Sequence, residues 1–248
     1  MKRLIVIIVA ICSLFGSTKV DAQVGVGVSI TVAPPELPVY EQPPCPTDGY
    51  LWSPGYWAWG PDGYYWVPGV WVAPPEAGFL WTPGYWGFGD GAYLWHAGYW
   101  GPHIGFYGGV CYGYGYGGHG FYGGRWEGGH FRYNTAVCHV NNTVIHNTYV
   151  DRTVINNSTV NRTSFNGRGG VEAQPTNEER TAMNEHHSQP TSSQQSHERS
   201  AAGNRNQLAS VNHGSPKTTA RATVGGQRFN STGHAVASKA NTNPASGN

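Results

Sequence analysis

The sequence predicts a mainly β protein: a short-stranded antiparallel meander of aromatic repeats, followed by a Gly/Tyr-rich tract, polar strands and a largely disordered C-terminal tail. Three observations lead there. Glycine (36) and proline (17) make up about a fifth of the 248 residues, against about an eighth in ordinary proteins, which leaves regular helix in the minority. Leucine and isoleucine are few, while 10 Trp and 15 Tyr supply large ring surfaces for burial. A 14-residue repeat fills the chain from Asp48 to His103. The net charge of +1 argues against a nucleic-acid partner and against an acidic solvating chain.

Residues 1–22 have the form of a cleavable signal peptide. Lys2 and Arg3 precede the apolar run from Leu4 to Phe15, and Val20-Asp21-Ala22 offers a small-residue cleavage site before Gln23. The run is shorter than the roughly 20 residues that span a bilayer, and no later segment is long enough either, so no transmembrane segment is expected after cleavage. Ile11 before Cys12 does not make a lipoprotein signal. Cleavage leaves Cys45, Cys111 and Cys138, an odd number for an oxidising compartment, and one disulfide plus one free thiol is expected.

Residues 23–47 begin with a strand, since Val24, Val26, Val28, Ile30 and Val32 alternate with small or polar residues. Six prolines between Pro34 and Pro46 then impose an extended connector. Residues 48–103 hold four units, DGYLWSPGYWAWGP, DGYYWVPGVWVAPP, EAGFLWTPGYWGFG and DGAYLWHAGYWGPH. Each has an Asp-Gly or Glu-Ala-Gly turn signal at its start and a Pro-Gly or Ala-Gly between its tryptophans. Strands of four or five residues follow, with aromatic pairs across neighbours. Because Pro-Gly suits a two-residue hairpin poorly, some of these sites are expected to interrupt longer strands.

Residues 104–133 form the Gly/Tyr-rich tract. GFYGG recurs at Gly105 and Gly120, which reads either as a degraded continuation of the repeat or as a flexible linker. In residues 134–166 a ten-residue period aligns Val140, Val150 and Val160, and Thr143, Thr153 and Thr163, predicting two or three short polar strands. Its N-x-S/T triplets, at Asn141, Asn156, Asn157 and Asn161, would accept glycans only in a eukaryotic secretory pathway. Residues 167–248 form a low-complexity tail in which Phe229 is the sole aromatic residue, and such a composition predicts disorder. Thr176 with Glu179 and Thr191 with Gln194 are capping-box pairs, allowing short helices near 177–187 and 192–209 that are polar all round.

Several constellations bear on chemistry. Trp52, Trp57, Trp66, Trp71, Trp81, Trp86, Trp95 and Trp100 could form an aromatic face for stacking on sugar rings, or they could be the core itself. Asp48, Asp62, Glu76 and Asp90 read as turn residues along one edge rather than as calcium ligands or glycosidase acids. Glu185-His186-His187 and His197-Glu198 offer weak metal capture without an i, i+4 ligand pair. No catalytic or dinucleotide fingerprint is present, so neither an enzyme nor a bound cofactor is expected.

The motifs WSPGYW, WVPGVW, WTPGYW and WHAGYW at Trp52, Trp66, Trp81 and Trp95 resemble those of the YXWGXW (WxxGxW) repeat proteins, which include BcpO-related proteins of Gram-negative bacteria. LPVYEQPPCP from Leu37, HIGFYGGVCYGYGYGG from His103, TVINNSTVNRTSFNG from Thr153 and ASVNHGSP from Ala209 extend the resemblance over most of the chain. It implies an exported protein of the periplasm, outer-membrane surface or extracellular space, and it brings no functional residues with it. The expected function is a non-enzymatic structural or interaction module, its partners an envelope protein, a polysaccharide or a second copy of itself. A glycan-binding module using exposed Trp and Tyr platforms is the alternative, and a self-assembling Gly/Tyr-rich adhesive is a third.

Overall fold

The computed structural model describes residues 29–157 and 161–224. Residues 1–22, Val24 to Val28 of the first predicted strand, Val160 and residues 225–248 lie outside the described residues; Ser29–Ile30 (β1) is the part of that first strand that is described.

The fold is mainly β and its strands are short, but the 14-residue units do not follow one another across a sheet. They pair in twos. Leu51–Ser53 (β2) and Tyr56–Gly60 (β3) form one arm of a hairpin, and Gly63–Val67 (β4) and Gly69–Val72 (β5) form the other. β2 pairs with β5 and β3 with β4 in one antiparallel register, placing Trp52 opposite Trp71 and Trp57 opposite Trp66. The second hairpin repeats the plan with Leu80–Thr82 (β6), Tyr85–Gly89 (β7), Ala92–His96 (β8) and Tyr99–Gly101 (β9). Here Trp81 faces Trp100 and Trp86 faces Trp95.

The ladder opens midway along each arm, at Pro54-Gly55, Pro68 and Pro83-Gly84, because proline has no N–H to donate, and at Ala97-Gly98, which lies across from Pro83-Gly84. The hairpins turn at Pro61-Asp62 and at Asp90-Gly91. Asp90 (φ 50°) and Gly91 (φ 78°) are both left-handed, as a type I′ two-residue loop requires.

Among the described residues no strand of one hairpin pairs with a strand of the other. Rings and indole N–H groups join them instead. Trp86 Nε1 donates to the Trp57 carbonyl at 2.8 Å, and Tyr64 meets Trp86 edge-on with centroids 5.5 Å apart. Three two-residue strands cover ladder edges that would otherwise be open: β1 lies antiparallel to β8, Phe165–Asn166 (β15) parallel to β7, and Ala220–Arg221 (β16) parallel to β5.

The Gly/Tyr-rich tract is ordered. It holds two further hairpins, Cys111–Gly113 (β10) with Tyr116–Gly117 (β11) and Gly124–Glu127 (β12) with His130–Asn134 (β13). Tyr107, Tyr112, Tyr116 and Tyr133 bury their rings and spend their hydroxyls on backbone carbonyls, with Tyr112 donating to Gly84 at 2.6 Å and Tyr116 to Trp81 at 2.7 Å. Thr148–Tyr149 (β14) adds to β13.

The segment of decapeptide repeats holds two short strands, β14 and β15, within the two or three expected, but the repeat itself is not strand along its length. Its period builds turns. Asn141 Oδ1 accepts from the N–H and hydroxyl of Thr143, at 3.1 and 2.6 Å, and Asp151 Oδ1 accepts from Thr153 at 3.0 and 2.6 Å. A side chain that caps its own backbone two residues on competes with the ladder, and here it prevails.

The largest correction concerns residues 167–224, which are folded rather than disordered. Both capping boxes are present, and they open Asn177–Ala182 (α1) and Ser192–Ala202 (α2); Ala209–Asn212 (α3) follows. These helices are polar, as expected, and the first two each bury one face, through Glu179 and Ala182 and through Gln194, His197 and Ala201. Gln194 serves its capping box and also accepts from Trp100 Nε1 at 2.8 Å. Trp66 Nε1 and the Gly69 N–H both donate to the Thr219 carbonyl at 3.0 Å. The tail is ordered by satisfying buried donors of the hairpins, not by apolar burial of its own.

His197 of α2 is buried with its Nε2 at 2.7 Å from the Pro68 carbonyl oxygen. Burial holds its pKa below the ordinary value, with Arg221 adding to the effect and the Pro68 bond opposing it. The unfolded chain therefore takes up the proton first, and stability should fall as pH drops through about 6.5. Urea midpoints between about pH 7.5 and 5.5 should show a decline that His197→Gln, which keeps a donor for Pro68, makes shallower.

Candidate functional site

The eight repeat tryptophans are the natural place to look for a site. The structure brings them together as four cross-strand pairs with ring centroids 5.2 to 5.3 Å apart, edge-on or tilted. Aromatic pairs prefer such geometries. Seven are buried: Trp52, Trp57, Trp66, Trp71, Trp81, Trp86 and Trp100, each 6% exposed or less. As placed, they do not form a platform for a sugar. Trp95 is half-buried, and Tyr56 lies stacked on it at 5.2 Å and 18°.

The spacing of the motif follows from what each indole covers. A Cβ added to Gly55 would lie 2.2 Å from the Trp66 indole, and one on Gly69 would lie 2.4 Å from that of Trp52. In the second hairpin, Gly84 meets Trp95 at 2.5 Å and Gly98 meets Trp81 at 2.6 Å. Each unit thus lays its first tryptophan over the glycine of its partner unit. Its second tryptophan stands opposite the partner's first. The glycines also bring the two backbones together, since the same Cβ positions lie 2.7 to 3.0 Å from the amide nitrogen of the glycine across the break. None of these four glycines has a left-handed φ, so the requirement is space, not backbone conformation.

The indole N–H groups point outward from this lattice and hold other segments to it. Trp57 donates to the Glu36 carbonyl at 3.0 Å and Trp71 to that of Pro43 at 2.7 Å, which fixes the proline connector. With Trp66 and Trp100, described above, four of the eight are engaged in this way, and Trp86 joins the two hairpins to each other.

The other candidate groups are kept apart. Asp62 and Asp90 sit at the hairpin tips, Asp48 and Glu76 at the opposite ends, about 30 Å away along arms of this length. They do not share one edge, because two units make one hairpin and alternate carboxylates go to alternate ends. Asp48 accepts from the Gly49 N–H and from Asn147. His187 stacks on Tyr99 at 3.8 Å and its Nε2 reaches the Ala182 carbonyl, whereas His186 is exposed and His197 is committed to Pro68. Among the described residues no three His, Cys, Asp or Glu side chains are grouped to hold a metal ion.

The expected disulfide is not formed; all three cysteines are free thiols. Cys45 is buried, donates to the Thr47 carbonyl at 3.2 Å, and burial pushes its pKa up to about 12. Cys138 is likewise buried and donates to Gly123 at 3.1 Å. Cys111 is half-buried.

Two histidine–carboxylate contacts went unnoticed in the sequence. His119 Nδ1 lies 3.1 Å from both oxygens of buried Glu179, and His103 Nδ1 lies 2.9 Å from Glu185. The partners are 60 and 82 residues apart, and they meet where α1 and the turn after it dock on the tract and on the end of the fourth unit.

An architecture in which paired β-hairpins are held by reciprocal indole-on-glycine packing defines an aromatic-cored hairpin repeat protein. Residues 48–72 and 77–100 match the WXXGXW repeat family model in two copies. The chain thus carries the WXXGXW repeat, and each matched copy coincides with one hairpin. The match covers the repeat and does not extend to the BcpO-related proteins in particular. No curated protein and no solved structure matches the chain.

Gly55→Ala should destabilise the protein by about 1 to 3 kcal/mol through overpacking. Gly89→Ala in the second hairpin, whose Cβ meets nothing within 4 Å, should stay within about 0.5 kcal/mol. Chemical denaturation of the two variants checks the contrast. Tryptophan emission should be blue-shifted and poorly quenched by acrylamide, and soluble oligosaccharides should leave it unchanged; red-shifted emission protected by one glycan class would restore the platform.

Proposed function

We propose that the protein is an exported, non-enzymatic structural or interaction module of the bacterial cell envelope or extracellular space. One observation above all supports this reading: the groups in the repeat best equipped to bind something are spent on the fold itself. The tryptophans fill the core, and half of their N–H groups hold the connector and the tail. The carboxylates lie at opposite hairpin ends, and the buried histidine faces a backbone carbonyl. Such a block is a scaffold that presents other segments.

Export rests on the sequence of residues 1–22, and the absence of any membrane-crossing helix among the described residues is compatible with it. Expression of the full chain in a Gram-negative host, followed by fractionation and mass spectrometry, tests the compartment. A mature chain starting at Gln23 in the periplasmic, surface or medium fraction is expected. Retention in the cytosol with residues 1–22 intact would overturn it.

A further inference from the structure

The tail meets the first hairpin along a seam that is mostly hydrogen-bonded. The outward face of β3 and β4 carries Ala58, Tyr65 and Val67, each 7% exposed or less, and Ala201 and Leu208 of the tail pack in one cluster with them. The other ties are hydrogen bonds: Trp100 to Gln194, Trp66 and Gly69 to Thr219, and His197 to Pro68. A cavity of about 90 Å³ runs along the same seam, between the ladder breaks of both hairpins and α2, with His197 in its wall. A segment tied mainly in this way opens at lower free energy than the ring-packed hairpins beneath it.

His197 gives the seam a sense of response to acid. Its Nε2 faces a carbonyl, which can only accept, so that nitrogen carries the proton and a second proton must enter at Nδ1. The ring is 5% exposed, and Arg221 of β16 opposes any added positive charge. Glu198 is its neighbour on α2, but that carboxylate reaches the Tyr65 hydroxyl at 3.5 Å and acts on that of Tyr56. Tyr56, Tyr65 and Tyr112, the titratable groups on the hairpin and tract side, are kept neutral by burial, which raises their pKa values. In a released tail the imidazole returns to water and takes up its proton at about pH 6.5. Below that pH the docked form binds fewer protons than the released form, and acid favours release.

We propose that the segment from α2 to β16 is a clasp that acid opens: protonation of His197 frees it from Pro68 while both hairpins stay folded, uncovering the Ala58, Tyr65 and Val67 face as an apolar contact surface. The clasp goes beyond the scaffold role proposed above and stands without it.

Hydrogen–deuterium exchange of the full chain at about pH 7.5 and 5.5, corrected for the intrinsic rate, tests the clasp. The opening equilibrium of the α2 amides should rise up to about tenfold over that interval, with the amides of β3, β4, β7 and β8 unchanged. His197→Gln, which keeps a donor for Pro68, should abolish the rise and leave α2 protected at the higher pH. A thiol placed on the covered face by Ala58→Cys should be alkylated faster at the lower pH by the same factor, measured against the same variant carrying His197→Gln. Exchange in the hairpin strands that accelerates together with α2, α2 exchange that ignores pH, a rise that survives His197→Gln, or an Ala58→Cys thiol that stays equally protected would each overturn the proposal.

Discussion

The structure depends on an exchange between two strands. One lays a tryptophan over the other's glycine and receives the same in return. Neither half is stable alone. An indole of this size needs a bare backbone to settle on, and a glycine without a covering ring would leave peptide groups open at the place where proline has already interrupted the ladder. The exchange satisfies both needs at once, and it recurs at all four units: Trp52 on Gly69, Trp66 on Gly55, Trp81 on Gly98 and Trp95 on Gly84. The hairpins owe their cohesion to ring packing at the points where hydrogen bonding lapses.

A core made of indoles carries polar atoms into places where aliphatic side chains would bring none. Each N–H buried with its ring needs an acceptor, and the acceptors come from segments with little apolar surface: the carbonyls of Glu36, Pro43 and Thr219 and the amide of Gln194. Tyr112, Tyr114, Tyr116 and Tyr133 of the Gly/Tyr-rich tract complement this arrangement, with rings packed into the core and hydroxyls on main-chain carbonyls of both hairpins and the connector. The protein thereby reverses the usual division of labour. Its apolar mass is concentrated in a short block, and hydrogen bonds recruit the rest of the chain to it.

Local signals were legible in the sequence and reciprocal ones were not. The two capping boxes mark the starts of α1 and α2 because a cap is settled within four residues. The Asp90-Gly91 turn and the short antiparallel strands are local in the same sense. Which unit pairs with which was not legible, since the four motifs are nearly identical and the choice rests on where each indole lands. The order of residues 167–224 escaped composition for a related reason: a segment poor in apolar residues can still fold if a neighbour offers buried donors. The eight tryptophans stand out in the sequence, but periodicity cannot tell a row of rings that faces solvent from one that faces a second row.

The pairing of units gives the repeat a parity. Trp52 and Trp81 occupy equivalent places 29 residues apart, so the interval that recurs in space is two motifs long. Gain or loss of a single motif would strand one ring without a seat and one glycine without a cover, whereas a whole hairpin could be copied or removed with its internal contacts intact. A lineage that lengthens or shortens such a block is therefore confined to even numbers of motifs, and the gene segment that can be duplicated is the hairpin, not the motif that the eye first picks out.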